Sequence, residues 1–300
     1  MKASDPRSEI DFQFNPTLWT PRIGSEEFIP AHVEYAETQS RHYRNEMNET
    51  GLSSISYAYK DAPQEMDIFR PENVREDAPI VVYVHGGWWQ WFSKEMFSFV
   101  ARPFNEAGFA VYMPAYTLAQ NWTSDEPMTR ITEQLEHAML AVFEDAQTRD
   151  TSQIILVGHS AGGQLVSLLH RVNWEEKYGI DKAAVDKLTH VFSLAGLFDL
   201  RALTNSYVND AIGMSEDEAE HLSPACQPID DTRTYSSLHL VLPEHDTSEF
   251  YRQTKEYQHQ LVSKGIDCRL KILAGKDHVS MIETLINDGD ELTAYILNSV

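Results

Sequence analysis

Short apolar runs alternate with amphipathic stretches along most of this chain, and this alternation constrains the fold more than any other feature. The runs "PIVVYVH" (79–85), "FAVYMPAY" (109–116) and "QIILVGH" (153–159) are continuously apolar, which is typical of strands buried on both faces of a sheet. Helical segments lie between the runs. Strands that alternate with helices predict βαβ units, so we expect an α/β fold with a mostly parallel central sheet and helices on both faces.

The remaining elements extend this pattern to nearly the whole chain. Further strands are expected in "SSISYAYK" and "EMDIFRP", which should pair, and in "THVFSLAG", "SLHLVLPEH" and "CRLKILAG". Helices are expected near 94–107, 128–147, 161–172, 247–264 and 279–297. We interpret 1–300 as one domain, with an N-terminal arm at 1–50 whose first 30 residues contain scattered Pro and Gly and should be irregular. The connection at about 199–233 is long for an α/β fold and should form a small lid.

Composition narrows the classes of function. The net charge of −22 disfavours nucleic acid and anionic membrane surfaces as partners. The two cysteines, Cys226 and Cys268, form no disulfide framework, and no HExxH or comparable metal-ligand pattern occurs. Neither a signal peptide nor an apolar segment long enough to span a bilayer is found, which favours a cytoplasmic location. Whether the chain forms a homodimer is left open.

The segment Gly158-His159-Ser160-Ala161-Gly162 lies between an apolar strand and a helical stretch. A bare GxSxG pattern is weak evidence, but this context is what a nucleophile elbow requires. Small flanking residues are needed because the turn forces the serine into a strained conformation. The alternative is an ordinary glycine-rich turn. We predict that Ser160 is a nucleophile.

A serine nucleophile needs a base and a carboxylate that orients the base. Of the 12 histidines, His278 follows the last strand by a short loop, so it should lie at the same sheet edge as Ser160. Asp246 follows the preceding strand, and the chain order Ser160, Asp246, His278 is that of α/β-hydrolases. Glu244 and Asp199 are the alternative acids. We expect Asp246 to orient His278.

The segment "VVYVHGGWWQW" (81–91) places two glycines and three tryptophans at the end of a strand. Acyl transfer builds negative charge on a carbonyl oxygen, which backbone N–H groups stabilise, and glycines let the backbone approach the substrate. The N–H groups of Gly87 and Trp88 should therefore join that of Ala161 in an oxyanion hole. His85 should hold the loop through a hydrogen bond. At least one of Trp88, Trp89 and Trp91 should belong to the core.

Together these motifs resemble kynurenine formamidase (arylformamidase), a branch of the hormone-sensitive-lipase-like α/β-hydrolases with an HGGxW motif. The segments that carry the resemblance are "HGGWW", "GHSAGGQL", "GLFDL", "EHDTSEFYRQTKEY" and "DHVSMIE". The resemblance implies hydrolysis of N-formylkynurenine to kynurenine and formate without metal or cofactor, and it supports Asp246 over Glu244. The chain departs from the family at Gln120, Ser248 and Val279-Ser280.

Two other functions are compatible with the sequence. A short-acyl carboxylesterase would have the same fold and triad, and a non-catalytic ligand receptor would usually lack one member of the triad. The expected partner is a small aryl amide or ester. If Trp88 turns inward, the acyl pocket should hold little more than a formyl or acetyl group, and aromatic residues such as Tyr116 or Trp122 should border the leaving group.

Overall fold

An eight-stranded sheet forms the centre of the protein in the computed structural model, which describes residues 6–48, 51–60, 63–124, 126–229 and 236–300. The order of strands across the sheet is β1-β2-β4-β3-β5-β6-β7-β8. β1 and β2 pair in antiparallel fashion, β2 is antiparallel to β4, and the other neighbours are parallel. The strands are Leu52–Tyr57 (β1), Gln64–Phe69 (β2), Ile80–Val84 (β3), Ala110–Pro114 (β4), Ile154–His159 (β5), Leu188–Leu194 (β6), Ser237–His245 (β7) and Cys268–Asp277 (β8). This confirms the predicted α/β fold with a mostly parallel sheet.

Helices cover both faces of the sheet. The α-helices are Pro6–Gln13 (α1), Ser25–Met47 (α2), Ala101–Glu106 (α3), Pro127–Thr148 (α4), Ala161–Leu169 (α5), Trp174–Tyr178 (α6), Lys182–Val185 (α7), Asn209–Ile212 (α8), Glu216–His221 (α9), Ser248–Ser263 (α10), Ser280–Glu283 (α11) and Glu291–Ser299 (α12). Short 3₁₀ helices occupy Pro16–Leu18, Lys94–Val100, Ala119–Asn121, Arg201–Asn205, Pro224–Cys226 and Thr284–Ile286. Among the helices of these ranges, none combines the length and apolar character needed to cross a bilayer.

Alternate side chains of the central strands enter two separate apolar cores. In β3, Val82 and Val84 belong to the core under α4 and α5, whereas Val81 and Tyr83 belong to the core under α2, α3 and α12. Every residue of β3 is buried, because both faces of the strand are covered. The continuously apolar strand sequences follow from this double coverage.

The N-terminal segment differs from the expectation of an irregular arm, since its described residues are mainly helical. α2 runs for 23 residues, even though it contains Pro30. Its buried positions Phe28, His32, Ala36 and Ser40 recur every four residues, so one stripe of the helix packs on the protein. The Ser40 hydroxyl donates to the Met96 carbonyl oxygen at 2.7 Å. Burial of this stripe outweighs the local cost of the proline.

The C-terminal segment also differs from the single helix expected at 279–297. It forms α11, a 3₁₀ turn and α12, with a break between the last two elements. Gly289 has a positive φ of 72° at this break. The Asp290 side chain then accepts hydrogen bonds from the N–H groups of Leu292 and Thr293 and caps α12. These two local signals end one helix and start another.

Candidate active site

Ser160 lies in a sharp turn between β5 and α5. Its φ of 56° and ψ of −119° are strained for a residue with a side chain. A Cβ atom on Gly158 would collide with the Gly162 carbonyl, and one on Gly162 would collide with the Val84 carbonyl. Both glycines are therefore required by close backbone approach. The GxSxG segment forms the elbow that its context predicts.

The ends of β5, β7 and β8 bring Ser160, Asp246 and His278 together. The Ser160 Oγ and His278 Nε2 atoms are 3.0 Å apart, and His278 Nδ1 lies 2.7 Å from Asp246 Oδ2. All three residues are buried. The other Asp246 oxygen accepts a hydrogen bond from the Thr247 N–H at 2.8 Å. A hydrogen-bonded chain from hydroxyl to imidazole to carboxylate results, which is the arrangement that can activate a serine.

The alternative acids have other partners. The Glu244 Oε2 atom accepts a hydrogen bond from the Gly275 N–H at 2.7 Å. Asp199 forms an ion pair with Arg201, whose Nε and Nη2 atoms lie 2.9 and 2.7 Å from the Asp199 Oδ1 and Oδ2 atoms. Hydrogen bonds from Arg201 lower the pKa of the Asp199 carboxyl. Within the described part of the chain, Asp246 is the acid that contacts His278.

Two neighbours fix the loop that carries His278. The His159 Nε2–H group donates to the His278 carbonyl oxygen at 2.7 Å. Burial lowers the pKa of His159 well below its usual value, so this imidazole is a neutral donor. Asp277 accepts hydrogen bonds from the Ser280 N–H at 2.8 Å and from the Arg22 Nε–H at 2.9 Å. Burial alone would raise the pKa of Asp277, but these bonds outweigh it and lower the pKa to about 2.

The glycine-rich loop after β3 lies directly against the elbow. A Cβ atom on Gly86 would collide with the His159 carbonyl and the Ser160 side chain, and Gly87 has a φ of 114° that favours glycine. The N–H groups of Gln90 and Trp91 both donate to the Gly87 carbonyl oxygen, at 3.0 and 2.9 Å. This turn puts the loop within reach of a substrate bound at Ser160.

Among the described residues, no backbone acceptor bonds to the N–H groups of the three predicted oxyanion donors. In the described ranges, no protein acceptor bonds to the N–H of Gly87 or Trp88. Ala161 is the first residue of α5, where N–H groups have no partner inside the helix. Trp88 adopts a positive φ of 51° in this loop.

His85 supports the loop, as the sequence predicts. Its Nδ1–H group donates to the Gly86 carbonyl oxygen at 2.7 Å, and its ring stacks between Phe97 and Tyr116. The Tyr116 hydroxyl donates to the His85 carbonyl oxygen at 3.1 Å. Burial lowers the pKa of His85 to about 4, so the imidazole remains neutral near pH 7.

The tryptophans divide between core and cavity. Trp89 is fully buried, and its Nε1–H group donates to the Gln164 Oε1 atom at 3.1 Å. Trp88 packs edge-on against Phe250 and borders the cavity beside Ser160. Trp91 is 45% exposed and borders the same cavity. The expectation that at least one of them belongs to the core is confirmed.

The cavity beside Ser160 has a volume of about 230 Å³ and a mainly apolar wall. The N-terminal segment supplies one side of it, which no pattern in the sequence predicts directly. The residues from this segment are Asn15, Pro16, Thr17, Phe28, Ile29 and His32. The buried stripe of α2 is a helical pattern that indicates burial, but it does not identify the surface that is covered.

The aromatic wall of the cavity differs from the one expected. Tyr116 and Trp122 do not border it: Tyr116 stacks on His85, and Trp122 contacts Tyr59. The aromatic rings that do border it are those of Phe28, Trp88, Trp91, Phe92, Phe97 and Tyr207. The expectation failed because the N-terminal segment and the turn at 91–97, rather than the loop after β4, close this side.

One end of the 199–229 segment reaches the cavity. Tyr207 borders it, and the N–H group of this residue donates to Asp11 in α1 at 2.8 Å. In the later part of the segment, Glu218 accepts a hydrogen bond from the Thr129 N–H at 2.7 Å, and the Leu222 carbonyl oxygen accepts one from the Gln164 side chain at 2.8 Å. Residues 230–233 of the expected lid lie outside the described residues.

In the described ranges, the cysteines and the potential metal ligands form no second functional site. Cys226 and Cys268 are both free thiols, and burial raises the pKa of each. No cluster of three or more His, Cys, Asp or Glu side chains in those ranges is arranged to hold a metal ion.

Three curated proteins with similar sequences are kynurenine formamidases. The chain is 27% identical to kynurenine formamidase of Danio rerio over 296 residues, covering 98% of this chain and 96% of the relative. The Drosophila melanogaster enzyme of the same name is 27% identical over 304 residues, covering 98% of each protein. These matches extend the resemblance found in the motifs to nearly the full length.

Solved structures share the fold. A Silicibacter protein superposes with a TM-score of 0.76 at 23% identity, covering 96% of this chain and 99% of that one. An esterase from Pyrobaculum calidifontis has a TM-score of 0.68 at 18% identity, covering 93% of each chain. The family model described as BD-FAE matches residues 66–241, which is more than half of the chain. The protein therefore belongs to the BD-FAE family and is an enzyme, a hydrolase with the α/β-hydrolase fold.

Proposed function

We propose that this hydrolase cleaves a small-acyl aryl amide, N-formyl-L-kynurenine, to L-kynurenine and formate. The observation that carries the proposal is the hydrogen-bonded chain Ser160–His278–Asp246, with separations of 3.0 and 2.7 Å, at the wall of an aromatic cavity. The similarity to kynurenine formamidases supports the choice of substrate.

In the proposed mechanism, Ser160 Oγ attacks the formyl carbon while His278 Nε2 takes the hydroxyl proton. Asp246 stabilises the imidazolium that forms. The N–H groups of Gly87, Trp88 and Ala161 stabilise the negative charge on the carbonyl oxygen. His278 then gives its proton to the leaving amine nitrogen as the C–N bond breaks, and a formyl ester remains on Ser160. Water, deprotonated by His278, attacks this ester, and formate leaves as Ser160 regains its proton.

The shape of the cavity supports a small acyl group and an aromatic leaving group. Trp88 stands where lipase-like loops have a third glycine, and its indole borders the cavity beside Ser160. Phe28, Phe92 and Phe97 form apolar wall on which an aryl ring can pack. Each well-oriented pair of rings contributes roughly 0.5–1.5 kcal/mol beyond its buried area.

We also propose that the 199–233 segment acts as a small lid within a single 1–300 domain. Tyr207, which borders the cavity and bonds to Asp11, supports this role. The lid would be completed by the N-terminal segment, since the two segments meet at that bond.

A short-acyl carboxylesterase is the second candidate. The structural similarity to the Pyrobaculum calidifontis esterase favours this candidate. A second reason is that the same triad cleaves esters more easily than amides. The two functions differ in the leaving group and in the length of the acyl chain that is accepted.

A comparison of substrates tests the proposal. The purified protein should hydrolyse N-formylkynurenine with a higher kcat/KM than p-nitrophenyl butyrate, and Ser160→Ala should lose both activities. Preference for the butyryl ester with no turnover of the formamide would favour the carboxylesterase. No hydrolysis of either by a folded protein would favour a non-catalytic role.

A further inference from the structure

A second histidine–carboxylate pair borders the same cavity. His32 in α2 is 2% exposed, and its Nδ1 atom lies 2.9 Å from Oε1 of Glu283. Glu283 ends α11, only five residues after His278 in the chain. Its other oxygen lies 3.2 Å from the Arg22 guanidinium, and its carbonyl oxygen accepts a hydrogen bond from Tyr35 at 2.6 Å. The carboxylate is therefore held on several sides.

These contacts define which nitrogen of His32 is available. A carboxylate bound to arginine accepts hydrogen bonds, so the Nδ1 atom of His32 carries the proton. The Nε2 atom of a neutral imidazole is then an acceptor. No protein group in the described residues bonds to this Nε2 atom, and His32 borders the cavity together with Ser160 and His278. Phe92 and Phe97 flank the His32 ring, with centroids 6.1 and 5.9 Å away.

The charges around His32 favour a cationic or N–H-donating ligand. Glu283 and Asp277 are negative, and Arg22 binds both of them. The two carboxylates and the one guanidinium sum to −1, in a protein whose net charge is −22. A ligand carboxylate would be repelled by this cluster, whereas an ammonium group would be attracted and could donate to Nε2.

We propose that His32, backed by Glu283, binds an ammonium or other N–H group carried by the leaving aryl amine of the substrate. This rests on the proposed function, because a formyl group has no substituent and any charged group must lie on the amine side. His32 contacts the substrate but no reacting atom, so it determines specificity. The triad performs the chemistry, and the His32–Glu283 pair selects which aryl amides reach it.

Three formanilides test the proposal: the unsubstituted compound, one with an aliphatic ammonium side chain on the ring, and one with a carboxylate side chain. His32→Asn keeps a donor for Glu283 but removes the group at the Nε2 position, whereas His32→Gln restores a polar atom near that position. His42→Gln, an exposed histidine on the same helix, is the matched control.

We expect His32→Asn to lower kcat/KM for the ammonium compound roughly 10- to 100-fold, mostly through KM, as for loss of a hydrogen bond to a charged group. The unsubstituted compound should lose less than about twofold, and His32→Gln should recover part of the loss. Glu283→Gln should reduce the preference for ammonium over carboxylate, because it removes the negative charge.

Equal losses on all three compounds would overturn the proposal, since His32 would then be structural. A loss confined to the carboxylate compound would also overturn it. If the wild-type protein cleaves no formanilide, the proposed function fails instead. Phenyl acetates with the same three substituents then replace the formanilides. If His32→Asn leaves the ratio of kcat/KM for the ammonium ester to kcat/KM for the unsubstituted ester unchanged, binding of the ammonium group by His32 is rejected.

Discussion

The two sides of the cavity are built in different ways. On the sheet side, Ser160, Gly87 and His278 come from loops at strand ends, and close main-chain contacts fix each of them. On the N-terminal side, the wall comes from one continuous segment, which includes Phe28 and His32. The sheet side carries the groups that can perform chemistry. The N-terminal side mainly shapes the cavity, and it contributes His32, which pairs with Glu283 of α11.

The two tasks are separated in the chain, and one of the places where they are joined lies next to His278. Thr20 and Arg22 both bond to Asp277, at 2.7 and 2.9 Å, and Asp277 immediately precedes His278. The segment that shapes the cavity is therefore fastened to the loop that carries the candidate base. Changes on the sheet side should remove activity, whereas changes on the N-terminal side should alter substrate binding and stability.

Replacement of the candidate nucleophile should have the largest effect. Ser160→Ala should lower kcat by roughly 10⁶-fold, since triad members act as a unit. The elbow tolerates alanine no worse than serine, so the melting temperature should be close to that of the wild type. EDTA should leave wild-type activity unchanged. Loss of activity with EDTA and recovery with zinc would contradict this account of the sheet side.

Replacement of the candidate acid should have the next largest effect. Asp246→Asn should lower kcat roughly 10⁴-fold, because asparagine favours the wrong tautomer of His278. Glu244→Gln and Asp199→Asn are the matched controls and should retain most activity. An active Asp246→Asn protein together with an inactive Glu244→Gln or Asp199→Asn protein would reassign the acid.

Substitution of Trp88 should change the selectivity for acyl groups. In the wild-type protein, kcat/KM should fall from formyl through acetyl to butyryl on a common aryl amine. Trp88→Gly should flatten the series, since each methylene that a pocket admits or rejects changes kcat/KM by roughly 10- to 200-fold. Glycine adopts the positive φ of this position without strain, so the loop should persist. A wild-type preference for butyryl would contradict the small acyl pocket.

Substitution of Arg22 should have the smallest effect and act through stability. Arg22 helps to lower the pKa of Asp277 from 3.8 to about 2. A carboxyl whose folded pKa lies below its unfolded pKa adds stability that is complete above about pH 4 and is lost as the pH falls towards 2. Arg22→Ala should therefore lower the free energy of unfolding by about 1 kcal/mol near pH 7, a value reduced for the exposure of Arg22.

Urea unfolding at several pH values checks this prediction. The difference in the free energy of unfolding between the wild type and Arg22→Ala should shrink as the pH falls below about 4. Arg41→Ala, an exposed arginine on α2, is the control and should change little. A difference that grows towards low pH would show that Arg22 does not stabilise the ionised Asp277.

The fold and the triad positions could be predicted because their signals are local. Strands buried on both faces are continuously apolar, and parallel strands bring their carboxyl ends to one edge, so Ser160, Asp246 and His278 had to lie near each other. Glycines 86 and 87 mark close approach of backbone in the sequence itself. None of these inferences needs knowledge of distant contacts.

The N-terminal side of the cavity could not be predicted, because its position depends on contacts between residues that are distant in the sequence. The scattered Pro and Gly of residues 1–30 predict an irregular arm, while the stripe of Phe28 and His32 indicates a buried face without identifying the surface that it covers. His32 contacts Glu283, which is 251 positions away. Tyr116 and Trp122, which follow β4, pack beneath the glycine-rich loop and against Tyr59 rather than at the cavity.

The most direct test of this account is covalent labelling of the wild-type protein with a serine-directed organophosphorus reagent, followed by peptide mass analysis. We expect one adduct, on Ser160, which forms at the same rate as activity towards N-formylkynurenine is lost and forms more slowly when that substrate is present. Asp246→Asn should slow the labelling strongly. Full activity with Ser160 labelled, or loss of activity with the adduct on another residue, would contradict the assignment of the sheet side as the catalytic centre.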